Sequence, residues 1–158
     1  MQQDYGDQLA VVAIPCNQFL LQEPGTNPEI PNTYRYVRPG GNFIHTFELA
    51  AKIDVNGEQE DPLYTYLKDA CPAPQEVIGN PVELYFSPIR VNDITWNFEK
   101  FLINTNGAPY KRYEPEVHPD SLRRDIDELL APNKKGNVNK LDNVLQKLHK
   151  HSHLLKKH

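Results

Sequence analysis

The chain has 158 residues, 39% hydrophobic and 24% charged, which suits one domain with a real core and a short appendage. No window approaches the roughly 18 to 20 continuous apolar residues of a membrane helix, and two cysteines, Cys16 and Cys71, are too few for a disulfide framework and lack CxxC spacing. The net charge of −4 conceals a split: from Asn133 onward seven Lys stand against one Asp, so a basic tail follows an acidic domain.

In chain order, Met1 runs into Gln2, Gln3 and Asp4, which is not the pattern of a secretory leader. QLAVVAIPCNQ (8–18) is a short apolar run closed by Pro15, and it predicts a buried strand in the centre of a sheet. The Pro- and Gly-rich stretch 22–32 reads as a loop leading into one or two helical turns near 28–37, and RPGG (38–41) as a turn. LAAKIDVNG (49–57) predicts an edge strand ending at Asn56-Gly57. DPLYTYLKDACP (61–72) predicts a short helix with Leu63, Tyr66, Leu67 and Ala70 on its apolar face. Two alternating runs around Asn106-Gly107 predict an antiparallel hairpin over 95–113. HPDSLRRDIDELLAP (118–132) predicts a helix with Leu122, Ile126, Leu129 and Leu130 on one face. This order implies an α/β layered domain with a mixed sheet over 1–132. Beyond it, Val138, Leu141, Leu145, Leu148 and Leu155 form a short heptad-like stripe in the tail 133–158. His149, His151 and His153 alternate within that stripe and do not share one helix face, so the tail reads as a solvated basic helix rather than a metal site.

In open α/β sheets, functional groups gather past the carboxyl ends of central strands. The first strand ends in IPCNQFLLQEPG, which offers Asn17, Gln18 and Gln22 as carboxamides beside Cys16, and WNFEKFL (96–102) adds the indole of Trp96 and the amide of Asn97 at the head of a strand-like run. The cluster has no His and no paired carboxylate, so it does not suit general acid–base work. Neutral N–H donors suit the stabilisation of a soft anion such as a thiolate or selenolate. The competing structural account makes Trp96 a core residue, the amides turn-formers and Cys16 inert packing.

IPCNQFLLQEPG, YVRPGGNF, DVNGEQEDPLYTYLK and NDITWNFEKFLINTNGAPYKRY together resemble the glutathione peroxidase family over about residues 1–131. The resemblance implies a thioredoxin-like fold with a mixed central sheet flanked by helices. It also implies reduction of hydrogen peroxide or organic hydroperoxides by thiols, with glutathione or another thiol as co-substrate and no bound cofactor or metal. The family nucleophile is a selenocysteine or cysteine, held by a Gln, a Trp and an Asn that fall on Gln22, Trp96 and Asn97. The nucleophile itself would precede PCNQF, in a helix whose end aligns with Met1 to Tyr5. The chain is therefore expected to start inside that helix, without the first strands, and to be inactive alone. A selenocysteine codon read as a stop, with restart at Met1, would account for this.

Arg38 matches a glutathione-contacting arginine of the family, with Lys111 and Arg112 as helpers. Pro115 and Glu116 stand where cytosolic members place arginines, and Leu20 stands where the family has glycine. The loop from Tyr36 to Gly57 resembles that of the tetrameric branch and implies a homotetramer. No Cys lies between Cys16 and Cys71, which argues against a thioredoxin-dependent resolving step. DACPAP is closer to the secreted animal branch, so an extracellular location is favoured. The alternative is a catalytically inactive peroxidase-like protein acting through the oligomer loop and the basic tail.

Overall fold

The computed structural model of the protein describes residues 1–131. They form two compact units: Met1–Asp61 with Gly79–Arg90, and Pro62–Ile78 with the chain from Val91 onward. The heptad-like stripe and the histidines of the tail lie outside the described residues.

The first unit opens with helix α1 (Gln2–Tyr5) and a 3-10 turn (Gly6–Gln8). The Gln2 carboxamide folds the chain back on itself: its Nε2 donates to the Leu9 carbonyl at 2.6 Å and its Oε1 accepts from the Val11 N–H at 2.7 Å. Strand β1 (Val12–Ala13) then pairs in parallel with β2 (Glu48–Leu49), Val12 opposite Glu48 and Ala13 opposite Leu49. Backbone bonds from Ala50 N to Ala13 O and from Ile53 N to Pro15 O carry the ladder past the strand ends. The expected central strand is thus present but short, and its residues are only half-buried. Among the described residues β1 has β2 as its single strand partner, which leaves its other edge without the neighbour that a buried central strand needs.

The core of this unit lies just downstream, in Cys16, Phe19, Ile30, Val55 and Leu84. Ile30 begins helix α2 (Ile30–Tyr36), which has Pro31 in its first turn, where a missing N–H costs nothing. Before it, the Glu29 carboxylate accepts from both the N–H and the hydroxyl of Thr26 at 2.7 Å, and these bonds hold its pKa below the usual carboxylate range. The predicted turn follows α2, with Gly40 and Gly41 both left-handed.

Helix α3 (Pro62–Ala70) opens the second unit. Its buried residues are Leu67 and Lys68, while Tyr66, counted in the predicted apolar face, is half exposed. The face is turned because the Lys68 ammonium meets a buried carboxylate, described below. The predicted hairpin is present as β3 (Lys100–Ile103) and β4 (Pro109–Tyr113), antiparallel, with Phe101 opposite Arg112. Asn104 closes its loop: the side-chain oxygen accepts from Asn106 and Ala108, and Gly107 takes φ 81°. The strand starts later than expected, since residues 96–98 form a turn. After β4, the Lys100 ammonium accepts no competitor: it donates to the carbonyls of Glu114, Pro115 and Val117, and burial pulls its pKa down. A 3-10 turn (Pro119–Leu122) leads into helix α4 (Arg123–Leu130), which buries Leu122 and Ile126 as its sequence stripe predicts.

The Asn56-Gly57 turn gives a direct test. Gly57 sits at φ 83°, and a Cβ there would lie 3.0 Å from the Ser87 carbonyl oxygen and 3.1 Å from the Phe86 Cβ. Gly41, at φ 63°, has nothing within 4 Å. Gly57→Ala is expected to lower unfolding free energy by about 2 to 4 kcal/mol and Gly41→Ala by about 1 kcal/mol, read from denaturant curves. Equal losses would show that the close approach at Gly57 carries no cost.

Candidate functional site

The segment carrying Trp96 and Asn97 is fixed from beneath by buried charge. Both side chains are half-buried, in the turn that precedes β3. On one side of them Thr95 offers its N–H and hydroxyl; on the other Glu99 accepts both through Oε1, at 2.5 and 2.7 Å. The bonds close the chain around the pair like the neck of a loop. The second carboxylate oxygen of Glu99 takes the Arg112 Nε at 2.5 Å, with side-chain exposures of 1% and 2% for the two partners. Arg112 then reaches back to the Asn92 carbonyl and side-chain oxygens and to the Asp93 carbonyl. Asp93, fully buried, holds the Lys68 ammonium of α3 at 2.8 Å. The Asn92 amide caps the Lys68 carbonyl at 2.5 Å, and Gln75 donates to the Thr95 hydroxyl. Two cations and two anions are thereby buried together with their hydrogen-bonding capacity engaged, the condition under which such charges can leave water.

In the first unit the carboxamides divide. Gln18 is buried, accepts from the N–H groups of Val55 and Asn56 at 2.9 and 3.0 Å, and donates to the Asn56 carbonyl at 2.9 Å. It ties the segment after β1 to the Asn56-Gly57 turn. Asn17 accepts from the Glu23 N–H at 3.0 Å and closes the following bend. Only Gln22, of the three, is exposed. It follows Leu20 and Leu21, which take φ 50° and 51°, a conformation that L residues with side chains rarely adopt. The left-handed backbone at Leu20 explains why glycine would be at ease there.

Neither thiol is set up as a nucleophile. Burial pushes the Cys16 thiol up, outweighing the N–H groups of Gln18 and Val55 that favour its thiolate. Burial also pushes Cys71 up, against the opposing charge of Arg112. Reactive cysteines require the reverse environment.

The three predicted cations part company as well. Arg38 is exposed beside the glycine turn. Lys111 is half exposed and pairs with Asp125 at 2.7 Å. That Lys111 hydrogen bond, followed by one from the Tyr113 hydroxyl, holds the Asp125 carboxyl below its usual range, while burial and Asp125 drive the Tyr113 hydroxyl well up. Arg112 is buried and committed to Glu99, Asn92 and Asp93, so its guanidinium positions the Trp96–Asn97 turn. Sequence reasoning missed Lys68, Asn92, Asp93 and Glu99 as the supports of that turn. Glu99 carried a partial signal, as the one acid between Trp96 and β3.

Comparison with known proteins is now informative. Residues 1–68 match the family model for glutathione peroxidase. Over 118 residues the chain is 48% identical to glutathione peroxidase 3 of Bos taurus, covering 75% of this chain and 52% of that protein. It is 49% identical over 127 residues to glutathione peroxidase 3 of Caenorhabditis elegans, covering 78% and 57%, and 48% identical over 118 residues to the epididymal secretory glutathione peroxidase of Sus scrofa, covering 75% and 54%. The chain belongs to the glutathione peroxidase family. It spans about half the length of the curated relatives it matches. Among solved structures, T. cruzi GPX1 superposes with a TM-score of 0.54 at 27% identity, over 84% of this chain and 68% of that one. Trgpx in apo form gives 0.50 at 28% identity, over 82% and 62%. The thioredoxin-like α/β fold expected from the sequence is the fold of these glutathione peroxidases.

Two measurements test this account. Glu99→Leu alone leaves Arg112 charged and buried, and is expected to cost about 3 to 5 kcal/mol in unfolding monitored by Trp96 fluorescence. Glu99→Leu combined with Arg112→Met should cost less than the two single changes together, by about 1 to 3 kcal/mol, and strict additivity would refute the coupling. Separately, Cys16 and Cys71 of the folded glutathione peroxidase chain are expected to react with iodoacetamide far more slowly near neutral pH than in denaturant. Rapid labelling of Cys16 in the native chain would contradict its burial.

Proposed function

We propose that this chain is part of a thiol-dependent peroxidase that reduces hydrogen peroxide and organic hydroperoxides, with glutathione or another small thiol as co-substrate. The observation that carries the reading is the clamped turn: Trp96 and Asn97 are held between Thr95 and Glu99 by a buried charge network, in a chain 48% identical to a glutathione peroxidase over 118 residues. Fixed neutral donors stabilise a developing anion best when they do not reorganise during the reaction. In the proposed mechanism a thiolate or selenolate attacks the O–O bond, one oxygen stays on sulfur or selenium, and the other leaves as water or an alcohol after taking up a proton. Two thiols then return the oxidised centre to its starting state, releasing water and a disulfide. Trp96 and Asn97 of one unit and Gln22 of the other donate N–H groups to the chalcogen anion. The nucleophile is neither Cys16 nor Cys71, whose thiols burial pushes up.

Arg38 and Lys111, the predicted cations that reach solvent, seat the anionic thiol, and Arg112 acts through the turn it supports. The exposed Tyr36, Val37, Phe43 and Ile44, on the loop that resembles the tetrameric branch, support a homotetramer. Similarity to an epididymal secretory glutathione peroxidase supports an extracellular location.

A coupled peroxidase assay with glutathione and its reductase tests the proposal. The 158-residue chain is expected to turn over no peroxide beyond the uncatalysed rate. In the longest native form, Trp96→Phe and Asn97→Ala are each expected to lower kcat/KM on the order of 10²-fold. Turnover by the 158-residue chain that Cys16→Ser abolishes would overturn the nucleophile assignment. Undiminished activity of both donor variants would overturn the site.

A further inference from the structure

Four residues other than glycine take left-handed backbone: Leu20, Leu21, Asn42 and Phe98. Asparagine tolerates this region, but a leucine or phenylalanine does so only against a steric penalty. Such strain is ordinarily offset by packing the side chain. Here it is not: Leu20 is 44% exposed, Leu21 47% and Phe98 82%. Glycine or asparagine at these positions would relieve the backbone and remove exposed apolar surface. Their placement is also particular. Leu21 precedes Gln22 and Phe98 follows Asn97, so in each unit a strained, exposed apolar side chain adjoins a proposed anion-holding carboxamide.

The backbone at both places is anchored. Leu20 N–H donates to the Glu83 carbonyl at 2.9 Å, and Gln22 N–H to that of Phe19 at 3.2 Å. Phe98 lies inside the clamp between Thr95 and Glu99. These side chains are presented by fixed turns, and strain held in place at a site's edge is a mark of use.

We propose that Phe98, Leu20 and Leu21 contact the hydrocarbon portion of the substrate, and so favour bulky organic hydroperoxides over hydrogen peroxide. This assignment of specificity residues rests on the peroxidase reading above. Hydrogen peroxide has no apolar group to place against them, whereas an aryl or fatty-acyl hydroperoxide gains from covering each one.

The test uses the 158-residue chain and the unreactive alcohol 2-phenyl-2-propanol, with tert-butanol as a small control, titrated by Trp96 fluorescence. Phe98→Asn and Leu21→Asn are each expected to leave the melting temperature equal or raised, because they relieve strain and forfeit no packing. Each is expected to weaken binding of the aryl alcohol by about tenfold, with little change for tert-butanol. A merely structural role predicts the opposite sign for stability. The proposal is overturned if Phe98→Asn lowers the melting temperature or prevents folding, if the parent chain does not bind the alcohol, or if both variants bind it as the parent does. Binding requires no nucleophile, so its loss on substitution in a protein that never turns over peroxide would sustain these contacts and sink the peroxidase reading. An active native form whose Phe98→Asn variant keeps the same preference between cumene hydroperoxide and hydrogen peroxide would do the reverse.

Discussion

The bond between Glu99 and Arg112 is the constraint on which the second unit depends. A carboxylate and a guanidinium, both almost wholly out of water, cannot be left single, since the desolvation of either one would go uncompensated. Once they are joined, the rest follows by geometry. The other Glu99 oxygen takes both donors of Thr95, so the chain between residues 95 and 99 must turn. The remaining Arg112 donors take Asn92 and Asp93, so the approach to that turn is fixed too. Asp93 then calls for Lys68, which sets the face that α3 buries. Trp96 and Asn97 make no printed part of this network; they are what it presents.

The first unit solves a like problem without charge. Gln18 has one acceptor oxygen and one donor group in play, and both are spent on the Asn56 region. A neutral amide costs less to bury than an ion and is satisfied by backbone alone. Its effect is nevertheless similar, because it locks the segment carrying Gln22 to the Gly57 turn, where no Cβ fits. Cys16 donates its weak S–H to the same oxygen, which accounts for a thiol that packs rather than reacts.

What could be read from the sequence was local. Asn106-Gly107 announced its hairpin because the left-handed requirement of the turn sits in those two residues. Pro62 and the Leu122–Ile126 spacing announced two helices for the same reason. The family motifs led to Gln22, Trp96 and Asn97 by type. What could not be read was decided by residues far apart. The length and burial of β1 depend on its neighbours across the sheet. Lys68 looked like a solvated helix residue until Asp93, 25 positions on, came beneath it. Arg112 looked like a surface cation in an alternating strand, because alternation does not say which face is inward. Phe98 was expected in that strand; the Thr95–Glu99 clamp makes a turn there instead.

These corrections alter how the charges of a candidate peroxidase site are understood. A reading by residue type gathers Arg38, Lys111 and Arg112 as cations awaiting an anionic thiol. Burial separates them. Arg112 cannot serve a ligand without abandoning Glu99, and Lys111 already holds a carboxyl whose pKa it depresses. The donors nearest the proposed chemistry are therefore neutral. A neutral N–H can favour a soft anion without binding every passing carboxylate or phosphate, whereas an exposed guanidinium in the same place would. Keeping the strong charges below the turn and the weak donors at its tip gives rigidity from one set of groups and selectivity from another.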